Sequence, residues 1–455
     1  MKKIIETVKN IWRIEDLKSR ILITLLFVAI YRFGSYVVLP GIDPGPTGLQ
    51  GLQGLRDQTS EGLMSLLNMF SGGAFSNASV FALGIMPYIS ASIVIQLLGM
   101  AVPYFQKMQR EGESGRRKMN QYTRWLTIAI LVFQAPAYLI NLHNQVGDAF
   151  RVGRVGMGWQ FMISSTIILA AGSMFILWLG ERITDKGVGN GVSLIIMIGI
   201  IARLPEALGQ EFVNALSGSQ GGGLVKFLFE IIALLFVMAL AIVLVKATRK
   251  VPVQYAKRVE GSKQLGGARQ YIPLKLFAAN VMPIIFAQAI MFIPLTIVSS
   301  TADANSSGFW MSFRDHTSVP YNIVLVVLII AFTYFYTAIT LNPVQMAEDM
   351  KRNNGFIPGV KPGKPTADYL DTVMSRILLP GSLFISIIAI LPAFAGVFGV
   401  SQGFAQFFGG TSLLILVGVV LDTLQQIESH LLVRRYDGLL NSGHVRSHSS
   451  NISAY

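Results

Sequence analysis

The chain has 455 residues, of which 52% are hydrophobic and only 13% charged. A single soluble domain cannot hide that much apolar surface, several small ones would lack solvent-facing charge, and a disordered chain would be far more polar. What remains is a polytopic membrane protein, provided the apolar residues come in long runs.

There is no cysteine, which removes disulfide frameworks, thiol catalysis and Cys-ligated metal sites. The five histidines, His143, His316, His430, His444 and His448, form no pair with an acidic residue at metal-ligand spacing. The net charge is +13, from 37 basic and 24 acidic residues.

Residues 1–20 carry Lys2, Lys3, Lys9, Arg13, Lys18 and Arg20, followed by an apolar run over 21–30. No small-residue cleavage site closes that run, so it is read as a first span behind a cytoplasmic segment. Ile4, Ile5, Val8, Ile11 and Trp12 predict an amphipathic helix over 1–13, lying on the membrane surface.

Ten spans are predicted, at 21–40, 79–99, 124–142, 159–180, 188–208, 223–245, 275–297, 321–341, 370–392 and 411–431. Residues 276–302, 316–347 and 377–421 hold no Asp, Glu, Lys or Arg. The fifth span rests on a shorter uncharged window, 187–202.

Connections alternate sides, which turns charge into orientation. Segments 1–20, 99–124, 180–187, 246–275, 342–376 and 428–455 share one side and hold 30 of the 37 basic residues. The opposite side holds 6, and Arg32 lies within the first span. Such a bias marks the richer side as cytoplasmic and places both termini there.

Ten spans divide into five and five, and an odd number per half forces opposite orientations. Two halves sharing a fold would form an inverted repeat, while two unrelated halves fit the composition equally well. The boundaries are a segment 1–20, a first half 21–216, a linker 217–223, a second half 224–431 and a tail 432–455. The linker, SGSQGGG, is a flexible joint suited to a hinge.

The membrane core lacks the midplane Asp, Glu or His of a coupled carrier. Isoleucines recur instead at helical spacing, as Ile85 with Ile89 and Ile196 with Ile200, with Ile285 and Ile415 in later spans. Each taken alone is lipid-facing by default; together they suit a hydrophobic constriction. On span two, Ile85, Ile89, Ser92 and Gln96 share a face, beside Tyr88 and Ser90, and Pro87 is expected to kink the helix. Gln134 with Pro136 and Gln288 with Pro283 are similar polar pairs, suited either to bundle hydrogen bonds or to an interface that parts. Residues 61–75, EGLMSLLNMFSGGAF, are too short to span and suggest either a re-entrant half-helix or an amphipathic helix on the outer surface. No phosphate-binding loop of the G-x-x-x-x-G-K-[ST] kind occurs, and GVGNG at 187–191 suits close helix packing.

Several motifs together resemble the SecY family in its bacterial form. They are NMFSGGAFSNASVFALGIMPYISASIVIQ at 68–96, EGESGRRKMNQYTR at 111–124, GVGNGVS at 187–193, NPVQMAE at 342–348, GTSLLI at 410–415 and DTLQQIE at 422–428, followed by Arg435, Tyr436, Asp437 and Gly438. They run in order over nearly the whole chain.

The resemblance implies an all-α polytopic fold: ten transmembrane helices in two inverted five-helix halves around a central pore. It implies a non-enzymatic, protein-conducting channel of the bacterial inner membrane, without cofactor or metal. The pore ring then falls on Ile85, Ile89, Ile196, Ile200, Ile285 and Ile415. The plug covers about 60–75, with Leu63, Met64, Leu67, Asn68, Met69, Phe70, Ser71, Gly72 and Gly73. A lateral gate between spans two and seven carries Ser90, Gln96 and Gln288, with Gln134 nearby. Partners implied are SecE and SecG, the SecA motor, the ribosome, signal peptides and nascent chains, membrane lipid, and accessory exterior-side proteins. Docking is expected on two cytoplasmic loops, at Arg249, Lys250, Lys257, Arg258, Lys263 and Arg269, and at Lys351, Arg352, Lys361 and Lys364. Lys361 stands where the family normally has Arg; it keeps the charge and loses the planar fork. The rival readings from other classes are a ten-span inverted-repeat solute transporter and a membrane scaffold without a pore.

Overall fold

The computed structural model describes residues 14–42, 68, 70–145, 158–217, 223–255, 258–260, 263–265, 269–276, 282–288, 290–291 and 318–442. The predicted surface helix at 1–13, the middle of the linker at 218–222 and the chain beyond 442 lie outside these residues.

Helix overlaps every predicted span. The first is α1 (Glu15–Gly34), followed by α2 (Met86–Ala101) and α3 (Pro103–Arg110). Long helices follow as α4 (Glu113–Gln145), α5 (Trp159–Lys186), α6 (Gly191–Ser217) and α7 (Gly223–Lys246). Residues 282–288 and 290–291 are helical within the seventh span. Then come α8 (Val319–Thr340), α9 (Pro343–Arg352), α10 (Lys364–Val397), α11 (Gln402–Ala405) and α12 (Gly410–Ser442). Among the described residues, 7 helices are long and apolar enough to cross a membrane, or 8 if the pair bent by 100° at the α2–α3 break counts as one span. The first helix is not among them because Lys18 and Arg20 at one end and Arg32 near the other leave only a short apolar stretch between.

The outward surface confirms the solvent that the composition demands. On α7 Val225, Phe229, Phe236 and Val243 are exposed, while Glu230, Leu234, Ala241 and Leu244 are buried. A helix whose outer face is Phe and Val needs hydrocarbon around it.

The bundle has three apolar clusters. One lies wholly before the linker, around Leu131, Leu139, Phe161 and Leu169. A second lies wholly after it, around Ile284, Ile329, Ile385 and Leu414. The third draws residues from both sides of the linker.

Two local expectations are corrected. Span two does not begin as helix at 79: residues 71–85 form successive turns, and Ile85 is the N-cap of α2. Pro87 therefore stands in the first helical turn, where the missing N–H removes no bond, and it opens the helix instead of kinking it.

The basic loop after α7 is a sheet. Strand β1 (Thr248–Tyr255) pairs antiparallel with β4 (Arg269–Lys275), setting Val251 against Ile272. Between them β2 (Arg258–Glu260) pairs with β3 (Lys263–Leu265). On its other edge β1 pairs with β5 (Gly355–Phe356), so the order is β4-β1-β5. The period-two signal is present in the sequence: Val251 and Val253 are buried, Lys250 and Pro252 exposed. Val251, Val253 and Leu274 pack on Met350, Ile357 and Leu370, which joins the two basic loops into one body.

Candidate functional site

The cluster shared by both sides of the linker holds the isoleucines that the sequence singles out. The start of α2 supplies Ile85 and Ile89, and α6 supplies Ile196 and Ile200 one turn apart. The seventh span supplies Ile285 and Phe286, and α12 supplies Ile415. All six isoleucines singled out in the sequence thus meet in one apolar cluster; five are buried and Ile285 is half-buried. Lipid-facing side chains would have scattered.

Phe70 belongs to the same cluster, and Asn68 and Ser71 beside it are buried. Leu63, Met64, Leu67 and Met69 lie outside the described residues. Where the segment meets α6, its backbone is bare: Gly72 has φ +64° and Gly73 φ +88°, left-handed values that favour glycine. A Cβ on Gly199 would lie 3.2 Å from the Gly72 nitrogen and 3.4 Å from the Phe70 carbonyl oxygen. Backbone therefore packs on backbone, one residue from Ile200 and three from Ile196.

Helices on the other side hold the segment by its carbonyls. The Tyr31 hydroxyl donates to the Ser71 carbonyl at 3.1 Å. The Arg32 guanidinium donates to the Gly72 carbonyl at 2.9 Å. From α4 the Tyr138 hydroxyl donates to the Phe75 carbonyl at 3.0 Å. Inside the segment, Asn68 Oδ1 accepts the Ser76 N–H at 3.1 Å. Sequence reasoning missed Tyr31, Tyr138 and Gly199. Arg32 gave the one available signal, as a charge inside a span.

The polar residues assigned to a seam are less concentrated. Ser90 and Gln96 are half-buried on α2, and Gln96 Nε2 donates to Ser92 Oγ of its own helix at 3.4 Å. Gln288 is half-buried on the seventh span. Gln134 lies on α4, next in sequence to Ala135 of the cluster before the linker, with a buried Oε1 that has no hydrogen-bond partner among the described residues. Met86, Ile89 and Ile93 of α2 and Met282, Ile285 and Phe286 of the seventh span all belong to the shared apolar cluster.

At the basic end, Arg249 and Lys250 are exposed on β1, and Lys351, Arg352, Lys361 and Lys364 are exposed around the turn after α9. Arg258, Lys263 and Arg269 stand in β2, β3 and β4, and Lys257 lies outside the described residues. The Thr366 hydroxyl donates to the Lys361 carbonyl at 2.8 Å, which ties the tip to the start of α10.

The turn 187–191 joins distant helices. Val188 N–H donates to Thr24 Oγ1 at 3.2 Å and Gly189 N–H to Gln426 Oε1 at 3.0 Å. A Cβ on Gly191 would collide with the Gly180 carbonyl, so α5 and α6 approach closely there.

A helical bundle with long apolar helices, an apolar outer surface and an apolar cluster shared by both sides of the linker defines a polytopic helical membrane protein. The comparisons make this particular. The SecY family model matches residues 79–424. The protein translocase subunit SecY of Streptomyces galbus is 40% identical over 445 residues, covering 94% of this chain and 98% of that protein. A solved structure described as a protein conducting channel aligns with a TM-score of 0.60 at 18% identity, covering 94% of this chain and 95% of that one. Sec61 in the canine ribosome-channel complex aligns with a TM-score of 0.59 at 16% identity, covering 94% and 95%. The chain belongs to the SecY family.

Proposed function

We propose that this chain is the protein-conducting subunit of a bacterial Sec translocon, passing secretory proteins across the inner membrane and membrane proteins sideways into lipid. The observation that supports the reading is the shared apolar cluster, to which six isoleucines from four helices and Phe70 all belong. Isoleucine side chains can close around a polypeptide of any sequence without hydrogen-bonding it. Empty, an apolar constriction resists water and ions. The plug adds the second barrier, seated by the Gly72–Gly199 backbone contact and by Phe70 in the apolar cluster.

The separate clusters before and after the linker support two five-helix halves, 21–216 and 224–431, opening about the hinge at 217–223. The apolar cluster that α2 and the seventh span share suits a lateral gate, because a signal peptide's apolar core can enter it at little cost. Ser90, Gln96 and Gln288 line that seam, and Gln134 lies behind it.

The 30-to-6 bias of basic residues supports cytoplasmic termini and a cytoplasmic sheet. The joined β1–β5 body presents Arg249, Lys250, Lys351, Arg352, Lys361 and Lys364 as one docking face for the SecA motor and for ribosomal RNA. The driving force comes from those machines, and the chain itself is not an enzyme. SecE and SecG complete the membrane assembly. The solute-transporter reading draws no support from the relatives.

The test is to reconstitute the chain with SecE and SecG in vesicles, then supply SecA, ATP and a presecretory protein. Protease protection of that protein supports the reading; uptake of a small solute without protection overturns it.

A further inference from the structure

We propose that Tyr31 and Arg32 are positioning residues that clasp the 71–73 turn against Gly199 and so hold the resting barrier in place. The inference deepens the channel reading and rests on it. Adjacent residues of α1 bond adjacent carbonyls of the turn, Tyr31 to Ser71 and Arg32 to Gly72. All three parties converge at one atom: a Cβ on Gly72 would lie 2.8 Å from Gly199 Cα, 3.2 Å from Arg32 Nη1 and 3.3 Å from Tyr31 Oη. The Gly72 backbone is therefore packed against both α1 and α6.

The gripping side chains are themselves fixed. The Tyr31 ring stacks on Phe81 at 6.3 Å. The second Arg32 nitrogen donates to the Tyr36 hydroxyl at 3.1 Å, and the guanidinium lies 5.4 Å over the Tyr36 ring. Ordinary loop satisfaction is the competing explanation, because a buried carbonyl needs a donor. A neutral side chain would serve that need. Arg32 lies well inside the first predicted span, where a charge is costly. A charge-assisted bond to a carbonyl is stronger than a neutral one. Moving the turn out of the cluster must break both α1 bonds, which makes this pair a release point for the barrier.

The chain lacks cysteine, so a single introduced thiol can report on it. Ser76 is buried, and its hydroxyl donates to the Gly73 carbonyl. In the full assembly carrying Ser76→Cys, the labelling rate of that thiol by a water-soluble maleimide is compared for the parent, Arg32→Gln, Arg32→Lys and Tyr31→Phe. We expect about tenfold faster labelling for Arg32→Gln, a smaller rise for Tyr31→Phe, and a rate near the parent's for Arg32→Lys, which restores a charged donor. Resting ion conductance should follow the same order. Equal labelling in all four proteins overturns the clasp, whatever the assembly transports. Equal acceleration by Arg32→Gln and Arg32→Lys also overturns it, because loss of packing would then explain the effect. Failure of the parent assembly to translocate protein overturns the channel reading instead, whatever the labelling shows.

Discussion

The side-chain oxygen of Gln426 on α12 accepts the backbone N–H of Gly189, 237 positions earlier in the chain, at 3.0 Å. Gly189 sits in the turn between α5 and α6 with φ +83°, a left-handed value that favours glycine. Replacing Gln426 with Leu leaves that N–H without its acceptor and should cost about 1 kcal/mol. Gln426→Glu keeps an acceptor and should cost less. Thermal unfolding in detergent measures both; equal losses would show that the bond contributes nothing.

At the other end of α6 a second tie reaches the turn between α10 and α11. The buried Glu211 carboxylate accepts the Ser401 N–H at 3.3 Å. Lys226 donates to the Gly399 carbonyl at 2.7 Å and lies 3.8 Å from the buried Glu230 carboxylate. Lys226→Met strands Glu230 without its cation and should destabilise by about 3 kcal/mol. Lys226→Met with Glu230→Gln should recover much of that loss. Additive losses in the double variant would contradict the pairing.

The isoleucine cluster makes a sharper prediction. Replacing Ile85, Ile196 and Ile285 together with Gly should raise resting ion leak in reconstituted vesicles. Ile85 is an N-cap, where Gly is tolerated, but Ile196 is inside α6, where Gly costs about 1 kcal/mol of helix stability. A companion triple Val variant keeps helix, apolarity and most of the volume and should stay tight. Unchanged conductance in the Gly variant sinks the ring.

Docking on phosphate would show in its salt dependence. Lys361→Ala and Lys364→Ala should each weaken ribosome binding, and each should lower the slope of log affinity against log salt by about one. Lys361→Arg should preserve the slope. An unchanged slope in the Ala variants would assign the tip to another partner or to topology alone.

Much of this molecule was legible before folding. Apolar windows pointed to segments that overlap helix in the structure, because in lipid each backbone group must be satisfied within its own helix. The six isoleucines could be picked out by spacing and resemblance, though only the fold brings them to one place. Three features were hidden. The β1–β4 hairpin carries its alternation beneath a run of basic residues, which drew attention to charge instead of period. The late start of α2 is set by the bridge between Val38 and Ser79 and by turns over 71–85, none of which has a local signature. The Tyr31, Arg32 and Tyr138 bonds are made to backbone carbonyls, and a carbonyl looks the same at every position of a sequence.

The central claim is that this chain conducts polypeptide, and one measurement addresses it most directly. Vesicles containing the chain with SecE and SecG receive SecA, ATP and a presecretory protein, and the protein is then challenged with protease outside. The account predicts an ATP-dependent protected fraction that disappears when the vesicles are dissolved. No protected fraction from a correctly assembled complex would contradict it.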